Sequence, residues 1–441
     1  MQMAMLTGRR ELPEAMFRVR MISAALVVLS FWLAPAQQSA FGQSTTPPAF
    51  AVASPVDLRI AAAQKKVKAA PGAQSYNDLA FALCRKGRDT GEPAVFEQAA
   101  AALARSAALE PGNYESQKLQ AALYLETQQY TKALKLANGL NRKVPDDIVN
   151  WGLLVDANMA LGNYAEAERD AQWILDLRPG SALGFEKAAA LREVFGDFTG
   201  SIDFYNEANL RASPNDADQR GWYLTRKAQL ELASGSIRLA EEAIKQAELL
   251  FPDSNFARST LAAIRSAEGR YDEAASLVEI NYKKVPSASN LYAWAEVVEK
   301  SSHPDGSTAL FQQFEVKAQA ERNRTGCADI NLIFFYLNQR RDPVKALSLA
   351  EARSAEYHDC ATLDALAWTL YSNGRYSEAK AQLDRALAVG IRNPVYFCHA
   401  AQIAAKLNDE AAAQMYRKEL ADLGSNTCPG ERVMNVSGAG K

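Results

Sequence analysis

The chain has 441 residues, more than one hydrophobic core ordinarily serves, which leaves several domains or a repeat array. Its 49 Lys+Arg against 51 Asp+Glu give a formal charge of -2 and a pI near 6.1, without the basic excess of a nucleic-acid-binding surface. Abundant alanine and the near absence of alternating apolar–polar runs favour helices over strands.

The first element is the apolar run "MISAALVVLSFWLA" at 21–34, with Arg18 and Arg20 before it and a small-x-small site, Ala40-Phe41-Gly42, after it. This order predicts a leader and cleaved signal peptide over residues 1–42, placing the mature chain in the periplasm or outside the cell. The run is short for a bilayer, which needs about 20 helical residues. No Cys follows it closely, so a lipid anchor is not supported. Residues 43–55, rich in Ser, Thr and Pro, read as a flexible linker.

From residue 56 the sequence repeats itself. "GNYAEA" at 162–167 returns as "GRYDEA" at 269–274 and "GRYSEA" at 374–379. Pro111, Pro145, Pro179, Pro214, Pro252 and Pro286 close successive units at steps of 34, 34, 35, 38 and 34 residues. Each unit holds two apolar-periodic stretches around a Gly or Asn turn; in the unit "WGLLVDANMALGNYAEAERDAQWILDLRP" (151–179) these run over 149–161 and 164–177. Gly162 is expected to end the first helix in a left-handed conformation, and Pro179 to stop the second. Ala167 and Ala171 allow close helix approach beside Tyr164. On Trp151, Leu154, Tyr164, Ala167 and Pro179 the chain resembles an exported, bacterial-type tetratricopeptide repeat protein, departing from the pattern at Val155 and Asn158. The resemblance implies an all-α superhelix of nine to ten helix hairpins. The spacing divides it into an N-terminal array (56–300), an irregular segment (301–328), a C-terminal array (329–424) and a tail (425–441). The stretch 214–222, "PNDADQRGW", reads as a longer surface loop between units.

Catalytic chemistry has no foothold in these residues. The chain lacks a P-loop, a dinucleotide fingerprint, HExxH and GxSxG, so no enzyme and no cofactor are expected. His303, His358 and His399 are the only histidines, and with Cys360 and Cys398 they match no common zinc spacing. Export turns the cysteines toward disulfides instead. Cys327 and Cys360 hold matching positions in adjacent units and form one candidate pair. Cys398 and Cys428 form another if the tail folds back, and Cys84 reads as a lone buried thiol.

What remains is binding. The resemblance implies that the first helix of each unit lines a concave groove. Its register places Asn331, Phe335 and Asn338 there in one unit and Asp364, Trp368 and Tyr371 in the next. Rings with amides beside them suit an extended peptide. Upstream, Glu115, Lys118, Asp156, Glu186 and Glu193 would give the groove a mildly acidic lining. The function expected is a non-enzymatic scaffold for a protein or peptide partner. A role in assembling an envelope or outer-membrane complex, polysaccharide export included, is the alternative by analogy of fold.

Overall fold

The computed structural model describes residues 54–325 and 328–423, and no strand occurs among them. A leading helix, α1 (Pro55–Ala69), precedes ten hairpins. The first five are α2 (Ala73–Thr90) with α3 (Pro93–Leu109), α4 (Tyr114–Glu126) with α5 (Tyr130–Asn141), α6 (Ile148–Leu161) with α7 (Tyr164–Leu177), α8 (Ala182–Val194) with α9 (Phe198–Arg211), and α10 (Ala217–Ala233) with α11 (Ile237–Leu250). The second five are α12 (Asn255–Ala267) with α13 (Tyr271–Lys284), α14 (Ala288–Lys300) with α15 (Ser307–Thr325), α16 (Ile330–Asn338) with α17 (Pro343–Ser354), α18 (Cys360–Ser372) with α19 (Tyr376–Leu387), and α20 (Pro394–Lys406) with α21 (Glu410–Asp422). The array therefore holds one helix more than ten hairpins require.

The third hairpin shows how residues make the unit. Asp147 caps α6 by accepting the Val149 N–H at 2.9 Å. Gly162 ends that helix at φ 82°, and the next N–H, of Asn163, closes back on the Asn158 carbonyl at 2.8 Å. Ala167, Ala171 and Ile174 then bury completely on the inner face of α7. Apolar side chains from neighbouring hairpins extend each such core into the next.

Two stretches differ from expectation. The segment 301–328 is not irregular throughout: a 3-10 turn at Pro304–Gly306 leads into α15, 19 residues long. The period slips because Pro304 and a six-residue connection replace the usual Gly turn, not because the helix is lost. Likewise 214–222 is mostly helix, since α10 begins at Ala217. Its acidic residues favour a helix N-terminus over a loop, and they have partners far back in the chain.

Those partners reveal how tightly the superhelix winds. Arg85 of the first hairpin bonds Asp216 at 2.8 Å and Asp218 at 2.7 Å, at the start of the fifth. Arg59 on α1 joins the same two carboxylates at 3.1 Å each. Asp89 accepts from the Ser254 hydroxyl at 2.6 Å and from the N–H groups of Asn255 and Phe256 at 3.2 and 3.3 Å, so it caps α12 of the sixth hairpin. Farther along, the Tyr164 hydroxyl of the third hairpin accepts the Cys360 N–H of the ninth at 3.1 Å. Tyr130 meets Tyr357 edge-on with ring centroids 5.6 Å apart. One superhelical turn thus rests on the next, through a polar seam at the N-terminal end and a largely apolar one beyond it.

Asp89→Ala should remove a cap supplied from 165 residues away and lower stability by about 1–2 kcal/mol. A urea midpoint equal to that of the unaltered protein would refute the seam's contribution.

Candidate binding groove

The first helices of successive hairpins touch one another, as α2 with α4, α4 with α6, α6 with α8, and α18 with α20. Their shared inner face carries the charged residues expected upstream, but paired. Lys118 bridges Glu115 and Asp147, both at 2.9 Å. Lys187 bridges Asp156 and Glu186, both at 2.8 Å, and Glu193 pairs with Arg226. Glu186 also accepts from the Tyr223 hydroxyl at 2.9 Å and the Gln219 amide at 3.1 Å. The lining is therefore an alternating ladder of charges and not an acidic wall. Burial raises the Asp156 carboxyl above its ordinary range although Lys187 opposes it. Burial acts on Glu186 in the same sense, but there Lys187 outweighs it and holds the carboxyl low.

At the C-terminal end, Asp364, Trp368 and Tyr371 share one face of α18, as their spacing requires. Trp368 stacks on Tyr371 with centroids 4.6 Å apart and on His399 of α20 at 4.0 Å. The buried Asp364 carboxylate lies 2.8 Å from His399 Nδ1 and fixes the ring beneath the tryptophan. His399 was legible only as a satisfied or exposed side chain. Its separation of 35 residues from Asp364, close to one period, is the signal that sets the two on adjacent first helices. Beside this ledge lies an open groove of about 430 Å³ lined by Tyr371, Ala401, Gln402, Ala405, Lys406, Arg417 and Leu420.

The other half of the expected patch does not assemble. Phe335 is 1% exposed, its ring 5.3 Å from Phe314 and 6.1 Å from Phe311. The phenylalanines of α15 draw it into the core, so it cannot line a groove. Asn331 is half-buried near the N-terminus of α16, and Asn338 is exposed at its other end.

The cysteines also redistribute. Cys360 is a buried free thiol, which excludes the Cys327–Cys360 pair. Tyr164 covers its backbone, and burial pushes the thiol up to about 11. Cys84 is likewise free and buried, pushed up to about 12. Cys398 is disulfide-bonded. Cys327 and Cys428 lie outside the described residues, as do the leader and the tail. Among the described residues no group of three His, Cys, Asp or Glu side chains is placed to hold a metal, and no helix is long and apolar enough to cross a membrane.

Residues 153–217, which run from α6 to the start of α10, match the family model of the tetratricopeptide repeat. These residues carry the tetratricopeptide repeat, and the hairpins on either side repeat the same helix–turn–helix unit. The fold is one of protein–protein interaction scaffolds, a family generally without catalysis. No curated protein matches it in sequence. Among solved structures it is similar to Cut9 or its partner in the APC/C hetero-tetramer Cut9–Hcn1, at 17% identity over 66% of this chain with a TM-score of 0.47. The match spans 55% of that chain, about half its length. The human IFIT1 dimer with PPP-AAAA aligns at 12% identity over 84% of this repeat protein and 94% of that chain, TM-score 0.46. PilW, a type IV pilus biogenesis factor, aligns at 16% identity over 46% and 93%, TM-score 0.40.

Proposed function

We propose that this repeat protein is an exported scaffold that grips a protein or peptide segment on the concave face of its last three hairpins. The observation that carries the reading is the ledge of three stacked rings, Tyr371, Trp368 and His399, on the adjacent first helices α18 and α20. Rings held by stacking and by the Asp364–His399 bond lose little freedom when a ligand covers them. Trp368 and Tyr371 are half-buried, so their remaining surface can cover a side chain. The exposed Asn338 amide, two hairpins before the last, can bond a peptide backbone.

Export is supported by the apolar run at 21–34 and by the disulfide at Cys398, a bond that persists in oxidising compartments. The partner is accordingly an exported or envelope protein. Crosslinking from a native envelope extract should capture it, and Trp368→Ala or Tyr371→Ala should weaken binding about tenfold or more. Equal binding by variants with unchanged circular dichroism would exclude the ledge. N-terminal sequencing of the mature chain should begin near Gln43; a chain retaining residues 1–42 would exclude cleavage.

A further inference from the structure

Counted from each N-cap, the lining positions fall into rows. Trp368 stands nine residues past Asp359, Asn338 nine past Asp329 and Glu296 nine past Ser287, so the three share one row on α18, α16 and α14. Asp156 holds the same position on α6, nine past Asp147. Its carboxylate is answered by Lys187, which stands six residues past Ser181 on the next first helix and reaches back at 2.8 Å. His399 holds that sixth position on α20, past Asn393, and reaches back to Asp364 on α18, also at 2.8 Å. On α16 the sixth position past Asp329 is Phe335, which lies in the core. Glu296 is therefore left without the counter-charge that its row receives upstream. It is exposed, and among the described residues it forms no ion pair. The helices around it still desolvate its carboxyl and raise it above the ordinary range, with the Tyr292 hydroxyl and Lys300 opposing the rise and Glu299 adding to it.

We propose that the segment gripped on the concave face supplies the missing cation: a Lys or Arg side chain pairs with Glu296 while an apolar side chain of the same segment covers Trp368. This pairing rests on the reading of that face as a peptide groove. The Gln339 amide bonds Glu299 at 3.3 Å and joins α16 to α14. Neighbouring packed helices lie about 8–10 Å apart. Two such steps, from Glu296 to Trp368, correspond to about six residues of extended chain. Asn338, exposed between them, is placed to bond the backbone of that stretch. Stacked rings alone accept a segment in either direction; one charge at a fixed distance from them sets its direction and register.

Panning a phage-displayed library of random peptides against the full-length protein tests this. Selected peptides should carry Lys or Arg about six residues from an aromatic or large aliphatic side chain. Against Glu296→Gln the basic preference should vanish and the apolar one remain; against Glu296→Lys it should turn to Asp or Glu. For one selected peptide labelled with fluorescein, Glu296→Gln should raise Kd about tenfold in anisotropy titrations, and added salt should shrink the difference. Equal enrichment of Lys and Arg by the unaltered protein and by Glu296→Gln would overturn the pairing and leave the groove standing. No enrichment above an unrelated bait would overturn the groove and the pairing together.

Discussion

Lys187→Met is expected to destabilise the protein by about 2–3 kcal/mol, because it strands the buried Glu186 carboxylate and unpairs Asp156, whose side chain is 39% exposed. The Lys187 side chain is 9% exposed and bridges Asp156 on the preceding hairpin to Glu186 beside it. Methionine matches its volume and apolar stem, so lost packing contributes little and the charge decides the outcome. The pH dependence should identify the cause. In the unaltered protein Glu186 sits below its ordinary range, so its contribution is present above about pH 4.3 and fades as pH falls through the depressed value. Asp156 sits above its range; its contribution is present at low pH and lost as pH rises through the raised value. Without the ammonium both carboxyls rise, so the variant regains stability on acidification from pH 7 toward 5 while the unaltered protein gains less. Urea midpoints at the two pH values check this. A deficit under 1 kcal/mol, or one equal at both pH values, would show the bridge to be dispensable. Adding Asp156→Asn should recover part of the loss, since one of the two unpaired charges is then gone.

The difference between what local pattern reveals and what winding reveals runs through the molecule. Gly162, Tyr164 and Ala167 state their roles within one unit: a left-handed stop, a filler and a close approach, each set by neighbours within a few residues. A pattern of that kind survives in the sequence because every unit repeats it. Asp364 and His399, one period apart, belong to the same legible class. Asp89, Arg85 and Asp216 do not. Whether they meet depends on the small rotation between hairpins summed over four or five of them, and no single unit encodes the sum. Phe335 failed for an intermediate reason. The register expected along α16 put it in the groove, but Phe311 and Phe314 of α15 pack against it in the core. The groove charges read as mildly acidic, because the partners of Asp156 and Glu193, Lys187 and Arg226, come from the next hairpin.

The contact between superhelical turns can be isolated with glycines, and the comparison should have a large effect. Gly162 and Gly374 both end the first helix of a hairpin at positive φ, 82° and 75°. Alanine at either position meets the same left-handed strain, about 1–2 kcal/mol. Their surroundings differ. A Cβ on Gly374 meets nothing within 4 Å, whereas one on Gly162 falls 2.4 Å from the His358 carbonyl oxygen, on the loop that leads into the ninth hairpin. That neighbour is backbone and cannot rotate aside, so the two turns must separate, adding about 1–3 kcal/mol as in an overpacked core. Separation would also loosen the Tyr164–Cys360 bond and the apolar cluster shared by both hairpins. Gly162→Ala should therefore lower the urea midpoint about twice as far as Gly374→Ala. Gly196→Ala should follow Gly162, since its Cβ would lie 2.8 Å from the Arg392 carbonyl oxygen. Equal losses at all three positions would mean that the turns touch without supporting one another. The graded result would instead make the superhelix a closed body, one whose concave ledge near residue 368 is held in place by hairpins some two hundred residues earlier in the chain, Tyr164 to Cys360 being 196 apart.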